Sequence, residues 1–263
     1  MRSRSSKSRG FTLVELLTAI GVLVILVGLL FGGISKAKAK ARNATCINNL
    51  RQHGIALAKW LADHDSYPLH FSDPALGKTE ERYVFWEKAL FFTENLNCED
   101  KASVANCPAI SQPKEYPPPQ VIRDYGYNAW GLNGLIKRPL LGIGGHGPVM
   151  IWDGTSIHGD YSPAVKESEV ASPSEFLAIG DAFIGWKTTI QDDSGILGRS
   201  ATARDTHGST ERAPRRHNGR ANVLCADGHV VPETLGFLFT DTSDAALRIW
   251  NRDNLPHRER LGE

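Results

Sequence analysis

The chain has 263 residues and a formal net charge of +1, with 22 % charged and 41 % apolar residues. This balance gives no compositional case for a nucleic-acid partner or a strongly anionic surface. No repeat or long low-complexity tract is present, and the length suffices for one large globular domain with a sizeable core.

Residues 1–10, MRSRSSKSRG, carry Arg2, Arg4, Lys7 and Arg9 and no acid. From Phe11 to Ile34 Glu15 is the only ionisable side chain. These residues, about 24 of them at about 1.5 Å rise each, span roughly 36 Å as a helix, enough for a hydrocarbon core of about 30 Å. The basic leader is expected to stay cytoplasmic and send the C-terminal bulk across the membrane, although Lys36, Lys38 and Lys40 on the far side weaken that asymmetry. A cleaved secretory signal is the competing reading. The length of the apolar run, the acid near its start and the lack of a small-x-small site at its end count against it. A charge inside a bilayer is unfavourable and persists mainly where function demands it, so Glu15 needs a partner.

Residues 35–64 are expected to continue the same helix. Ala and Lys, good helix formers, dominate the first part. Farther on, Cys46, Ile47, Leu50, His53, Gly54, Leu57, Ala58 and Leu61 recur at three- and four-residue spacing, an amphipathic stripe. Asp63 to Pro68 breaks it. The expected whole is a ladle, one helix of about fifty residues with a membrane half and a half that supports a head over residues 65–263. In that head, Tyr83–Phe92 reads as a short helix, Val149–Trp152 as a short apolar strand, and Phe176–Asp181 as a buried strand entered through a turn. Pro113–Pro119 reads as an extended loop. The stretch from His217 to Glu233 reads as strand, Asp227-Gly228 turn, strand, with positive φ expected at both turn positions. Asn218-Gly219 is a further turn signal upstream.

Four cysteines occur: Cys46, Cys98, Cys107 and Cys225. In an exported domain Cys98–Cys107 is the simplest disulfide by sequence distance, and Cys46–Cys107 is a serious rival that would staple the head to its helix. The absence of a close Cys-x-x-Cys pair argues against zinc.

Two motifs match known families. Gly10-Phe11-Thr12-Leu13-Val14-Glu15 resembles the signature of type IV prepilins and type II secretion pseudopilins. The resemblance implies cleavage by a prepilin peptidase between Gly10 and Phe11, methylation of the new N-terminus, and pairing of Glu15 with the N-terminal amine of a neighbouring subunit. Such a pair offsets much of the desolvation cost of Glu15. His217, nine residues and then Asp227-Gly228 resemble the H-x9-DG processing-associated domain found on prepilin-type proteins. Cys46, Asn48-Asn49-Leu50-Arg51, Tyr67-Pro68, Cys107-Pro108, Tyr125-Gly126-Tyr127-Asn128, Pro173-Ser174-Glu175, Asp181 and the tail Asn251 to His257 agree with that family as well. Ala182 after Asp181, where glycine is usual, and Cys225, where an aromatic is usual, depart from it.

His217, Asp181, Asp227 and His229 are candidate ligands of one divalent metal ion, and related pseudopilins bind calcium through C-terminal loops. Calcium prefers six to eight oxygens, however, and histidine suits it poorly. The favoured reading makes His217 a hydrogen-bond partner of backbone or of Asp227, holding the hairpin register. Ser200 and Ser209 precede His217 without a Gly-x-Ser-x-Gly elbow, so a hydrolase triad is disfavoured. The glycine-rich Leu141–Pro148 lacks the Lys-Ser/Thr of a phosphate loop and reads as a surface loop. The six tryptophans read as anchors of small β cores rather than as a glycan-binding surface.

The sequence thus predicts an α+β protein, not an enzyme, requiring no cofactor unless a structural divalent ion such as calcium. The expected segments are a leader (1–10), a transmembrane helix (11–34), its periplasmic continuation (35–64) and a head (65–263) including the 217–228 hairpin. The expected role is a subunit of a pilus-like or pseudopilus filament in the bacterial inner membrane and periplasm. Its expected partners are other pilin-like subunits and a prepilin peptidase, with no nucleic acid. The rival is a membrane-tethered protein that binds a glycan or another envelope component.

Overall fold

A computed structural model describes residues 11–69, 71–72, 84–91, 104, 106–109, 125–132, 139–152, 157–181 and 217–261. The leader with Gly10, the proline-rich stretch, Cys98, Ala182, Trp186, Ser200 and Ser209 lie outside them. The chain divides into two compact units, residues 1–41 and 42–263.

Helix α1 runs from Leu13 to His64. Its end has a local cause. Asp65 takes a left-handed φ of 53°, and its N–H donates to the Leu61 carbonyl at 2.8 Å, the single bond of an αL cap. Trp60 then fixes the exit by stacking on His64 at 3.8 Å and donating from Nε1 to the Ser66 carbonyl at 2.9 Å. The stripe read from the sequence is buried at Cys46, Leu50, His53, Leu57 and Leu61. Ala58 is exposed instead, because the buried face drifts round the helix and takes in Asn49.

The second unit holds two four-stranded sheets. The first comprises β1 (Phe71–Ser72), β2 (Val84–Phe85), β4 (His146–Trp152) and β5 (Ile157–Ser162), in the order β2-β1-β4-β5. β1 and β4 pair in parallel and the other pairs are antiparallel. The expected helix at 83–92 is shorter, since Val84–Phe85 is strand and only Trp86–Phe91 forms α2.

The second sheet is antiparallel throughout: β3 (Tyr125–Tyr127), β6 (Leu177–Asp181), β7 (Arg220–Cys225) and β8 (Val230–Thr234), in that order. Every residue of β6, and all of β7 after Arg220, is buried. This continuous burial follows from cover on both faces. On one face Leu224 belongs to the cluster of Leu50, Leu57, Trp86 and Tyr127. There α1 comes close enough that a Cβ at Gly54 would lie 3.0 Å from Leu224 Cδ1. On the other face Ala221 and Val223 join Leu132, Leu238, Leu247 and Trp250. Leu238 and Leu247 come from short helices α3 (Leu235–Phe239) and α4 (Asp244–Arg248), capped by Thr234 and Ser243 hydroxyls. β8 is an edge strand, which is where Pro232 is tolerated.

Two local readings are corrected. The hairpin after β7 closes through Gly228 N–H to Cys225 O and Cys225 N–H to His229 O, both 2.9 Å. Of the Asp227-Gly228 pair only Gly228 has positive φ, 93°. This is a three-residue loop with one left-handed position, not a two-residue turn with two. The glycine-rich segment is not a surface loop either, because residues 140–145 are buried. Ile143 and Gly144 donate to the carbonyls of Asn128 and Ala129, and a Cβ at Gly142 would sit 2.4 Å from Asn128 and Ala129 backbone atoms. Glycine here permits close backbone approach.

Candidate functional site

Two places carry candidate chemistry, one in each unit. At the start of α1 the Glu15 carboxylate accepts from the Thr12 N–H at 2.9 Å and the Thr12 hydroxyl at 2.8 Å. The Glu15 N–H faces Thr12 Oγ1 at 3.3 Å. The arrangement is a capping box, Thr-x-x-Glu with Thr12 as N-cap, which satisfies N–H groups that have no partner within the helix. The partner that Glu15 requires is therefore available within its own chain, three residues away. Around it Phe11, Leu13, Val14, Leu16 and Leu17 are all more than half exposed. The helix is long and apolar enough to cross a membrane.

The second place is built by α1, β6 and the entry to β7. Cys46, Asn49 and His53 lie on one face of α1 and together hold the segment around residue 107. Cys46 forms a disulfide with Cys107. Asn49 Nδ2 donates to the Asn106 carbonyl at 2.9 Å, and His53 Nε2 lies 3.2 Å from the Val104 carbonyl. Burial depresses the His53 pKa to about 4, against a smaller opposing effect of the Val104 hydrogen bond, so its ring is neutral near pH 7. Asn49 and His53 were not singled out as site residues from sequence. The sequence placed His53 on the stripe with Cys46 but not Asn49, and the segment they hold was not visible.

His217 approaches the same disulfide from the other side. Consecutive left-handed residues, His217, Asn218 and Gly219 at φ 48°, 57° and 77°, turn the chain into β7. A histidine with positive φ is unfavourable by roughly 1–2 kcal/mol and persists where surrounding structure holds it. Its Nε2 lies 3.3 Å from Asp181 Oδ2 at the end of β6, with the two side chains 2 % and 0 % exposed. The same Nε2 lies 3.5 Å from Cys107 Sγ. Asp181 Oδ2 also accepts the Asn222 N–H at 2.7 Å. His217 and Asp181 are thus brought together.

Asp227 and His229 are not part of that group. β7 separates them from His217, and its residues extend for roughly 20 Å at about 3.3 Å each. Asp227 Oδ1 instead accepts from the His229 N–H at 3.1 Å and lies 2.5 Å from His229 Nδ1, on an exposed turn. The expectation that His217 contacts Asp227 across the hairpin is therefore corrected: its carboxylate partner is Asp181, from a neighbouring strand. The donors around His217 are sulfur, nitrogen and one carboxylate, which is not a calcium-binding set. Cys225 is a free, buried thiol whose pKa burial pushes up to about 12, aided by Asp227 and Glu233. It packs in the core and is inert as a nucleophile at neutral pH.

Residues of the C-terminal tail and Asn128 form a scaffold of side-chain to backbone hydrogen bonds. Asn251 Oδ1 accepts from Leu132 N–H at 3.1 Å, while its Nδ2 donates to the carbonyls of Leu247 and Leu255. Arg252 Nη1 donates to the Leu140 and Gly142 carbonyls at 2.7 and 2.8 Å. Asn128 Nδ2 donates to the Leu177 and Trp250 carbonyls, and its Oδ1 accepts from Gly131 N–H. Trp86 and Trp250 are fully buried, as core anchors.

Residues 5–31 match the family described as Prokaryotic N-terminal methylation motif. No curated protein and no solved structure matches the chain. The chain carries a prepilin-type methylation motif at the head of one apolar helix long enough to cross a bilayer.

Proposed function

We propose that the chain is a non-enzymatic subunit of a type IV pilus-like or type II secretion pseudopilus filament, cut by a prepilin peptidase between Gly10 and Phe11. The observation that carries this reading is the methylation motif over residues 5–31, placed on a helix whose Phe11–Val27 side chains are exposed. An apolar surface of that extent requires lipid or other subunits around it. Before assembly the precursor rests in the inner membrane with its head in the periplasm. In the filament Glu15 exchanges its Thr12 contacts for the Phe11 amine of a neighbour, and the apolar helices pack together. The head belongs to the H-x9-DG type, with His217 held by Asp181 and the tail residues forming its scaffold.

Replacing Glu15 by Ala tests the role. Processing at Gly10 should persist while the chain disappears from the sheared filament fraction and stays in the membrane. A variant that enters filaments at the parental level would refute the subunit assignment and favour the tethered-binder reading.

A further inference from the structure

The Cys46, Cys107 and His217 donor atoms lie within 4.8 Å of one another, and Asp181 Oδ2 lies 3.3 Å from the same imidazole nitrogen. We propose that the dithiol form of this cluster is a zinc site, with Cys46, Cys107 and His217 Nε2 as its protein ligands, so that metal and disulfide are alternative ways of fastening α1 to the segment around residue 107. The inference is independent of the filament reading.

The geometry is the first support. Tetrahedral zinc has bonds of about 2.3 Å to sulfur and about 2.0 Å to imidazole nitrogen, so its N···S edge is about 3.5 Å. The observed separation is 3.5 Å for His217 Nε2 to Cys107 Sγ. Once the disulfide opens, side-chain torsions need only part the sulfurs to the S···S edge of about 3.8 Å. The second support is the donor chemistry. Two thiolates and one imidazole suit zinc and not calcium or magnesium. The third is the surroundings. Cys46 and Cys107 are 0 % and 2 % exposed, which keeps competing water out. The cysteines lie 61 residues apart, so no short Cys-x-x-Cys signature announces the site.

The chemistry balances. A dithiol reductant supplies two electrons and two protons, the Cys46–Cys107 bond breaks, and the reductant leaves as its own disulfide. Zn2+ then displaces both thiol protons and binds the two thiolates. A disulfide-forming oxidant reverses the sequence, taking two electrons from the thiolates and releasing the metal.

The test uses the full chain in detergent micelles, reduced with a phosphine and titrated with Zn2+ against a chromophoric chelator, with Co2+ as the spectroscopic probe. The reduced chain should bind one Zn2+ with a Kd below about 10 nM, and the oxidised chain should not compete with the chelator. Co2+ should give a thiolate-to-metal charge-transfer band. Cys46→Ser should abolish that band, and His217→Ala should weaken zinc binding by at least about a hundredfold. Cys98→Ser and Cys225→Ser should leave both unchanged. Equal binding by oxidised and reduced chains, absence of the band, or loss of binding on Cys98→Ser or Cys225→Ser would overturn the proposal. If reduction alone melts the head, added Zn2+ should restore its melting transition, and failure to restore it also overturns the proposal.

Discussion

Leu23 and Leu50 belong to the same helix, yet Leu23 is 59 % exposed and Leu50 is 0 % exposed. Their local sequences are equally helical, so the difference arises from what each half meets. The later half carries a one-sided stripe, and a sheet with matching apolar residues covers it. The earlier half is apolar on every side, and its Phe11–Val27 side chains are exposed among the described residues. The same contrast separates the two candidate acids. Asp181 is held by distant groups, His217 and the Asn222 N–H. Among the described residues Glu15 is held by Thr12, three residues away. The buried half is held by contacts to distant strands, and the exposed half by contacts within its own first turn.

The largest expected effect tests how the buried half is held together. Closing a loop of 61 residues removes denatured-state entropy worth about 4 kcal/mol. Urea unfolding of the full chain in micelles should show about that loss for Cys107→Ser measured without metal. Leu50→Ala should cost about 3 kcal/mol in the same assay, within the range for a buried leucine, whereas Leu23→Ala should leave the head's unfolding midpoint unchanged. Equal losses for the two leucines would erase the distinction between the halves.

The third prediction concerns acid. His53 is neutral in the fold with its pKa depressed by burial to about 4, against about 6.5 in the unfolded chain. Its contribution is present above pH 6.5 and is lost as pH falls toward 4, because the unfolded state then binds the extra proton. The loss should be on the order of 2–3 kcal/mol. In a His53→Gln variant the unfolding midpoint should fall less between pH 7 and pH 4.5 than in the parent.

The smallest effect has the opposite sign. His257 lies between Asp253 and Glu259, each 2.7 Å from a ring nitrogen. Burial pulls its pKa down, but hydrogen bonds to the two carboxylates outweigh it and hold it above the ordinary value. Its contribution is therefore present below about pH 6.5 and is lost as pH rises through the higher folded value. Because the group is partly exposed, His257→Ala should cost less than about 1 kcal/mol at pH 6 and almost nothing at pH 9, measured by the same unfolding curves.

What the sequence disclosed follows the reach of its signals. The long helix, its stripe and its stop near Asp65 were legible because periodicity and breakers are local. The β7–β8 hairpin was legible too, but Asp-Gly occurs both in two-residue turns and at the end of three-residue loops. Only the Cys225–Gly228 and Cys225–His229 hydrogen bonds distinguish them. The sequence groups Asp181 with His217 among candidate ligands, but the hydrogen-bond reading goes to Asp227 because it is near in sequence, and Cys107, far away, was not legible as a neighbour of His217. Gly142 misled for a related reason. Glycine marks both loose loops and tight backbone contacts, and only the Asn128–Ala129 backbone beside it shows which applies.

The central claim is that the apolar half of α1 begins as a prepilin, and the mass of the mature chain tests it most directly. Intact-mass analysis of protein taken from the native membrane should show loss of residues 1–10 and gain of one methyl group on Phe11. A chain that keeps residues 1–10, or one cut after the apolar run near Ile34, would contradict the account.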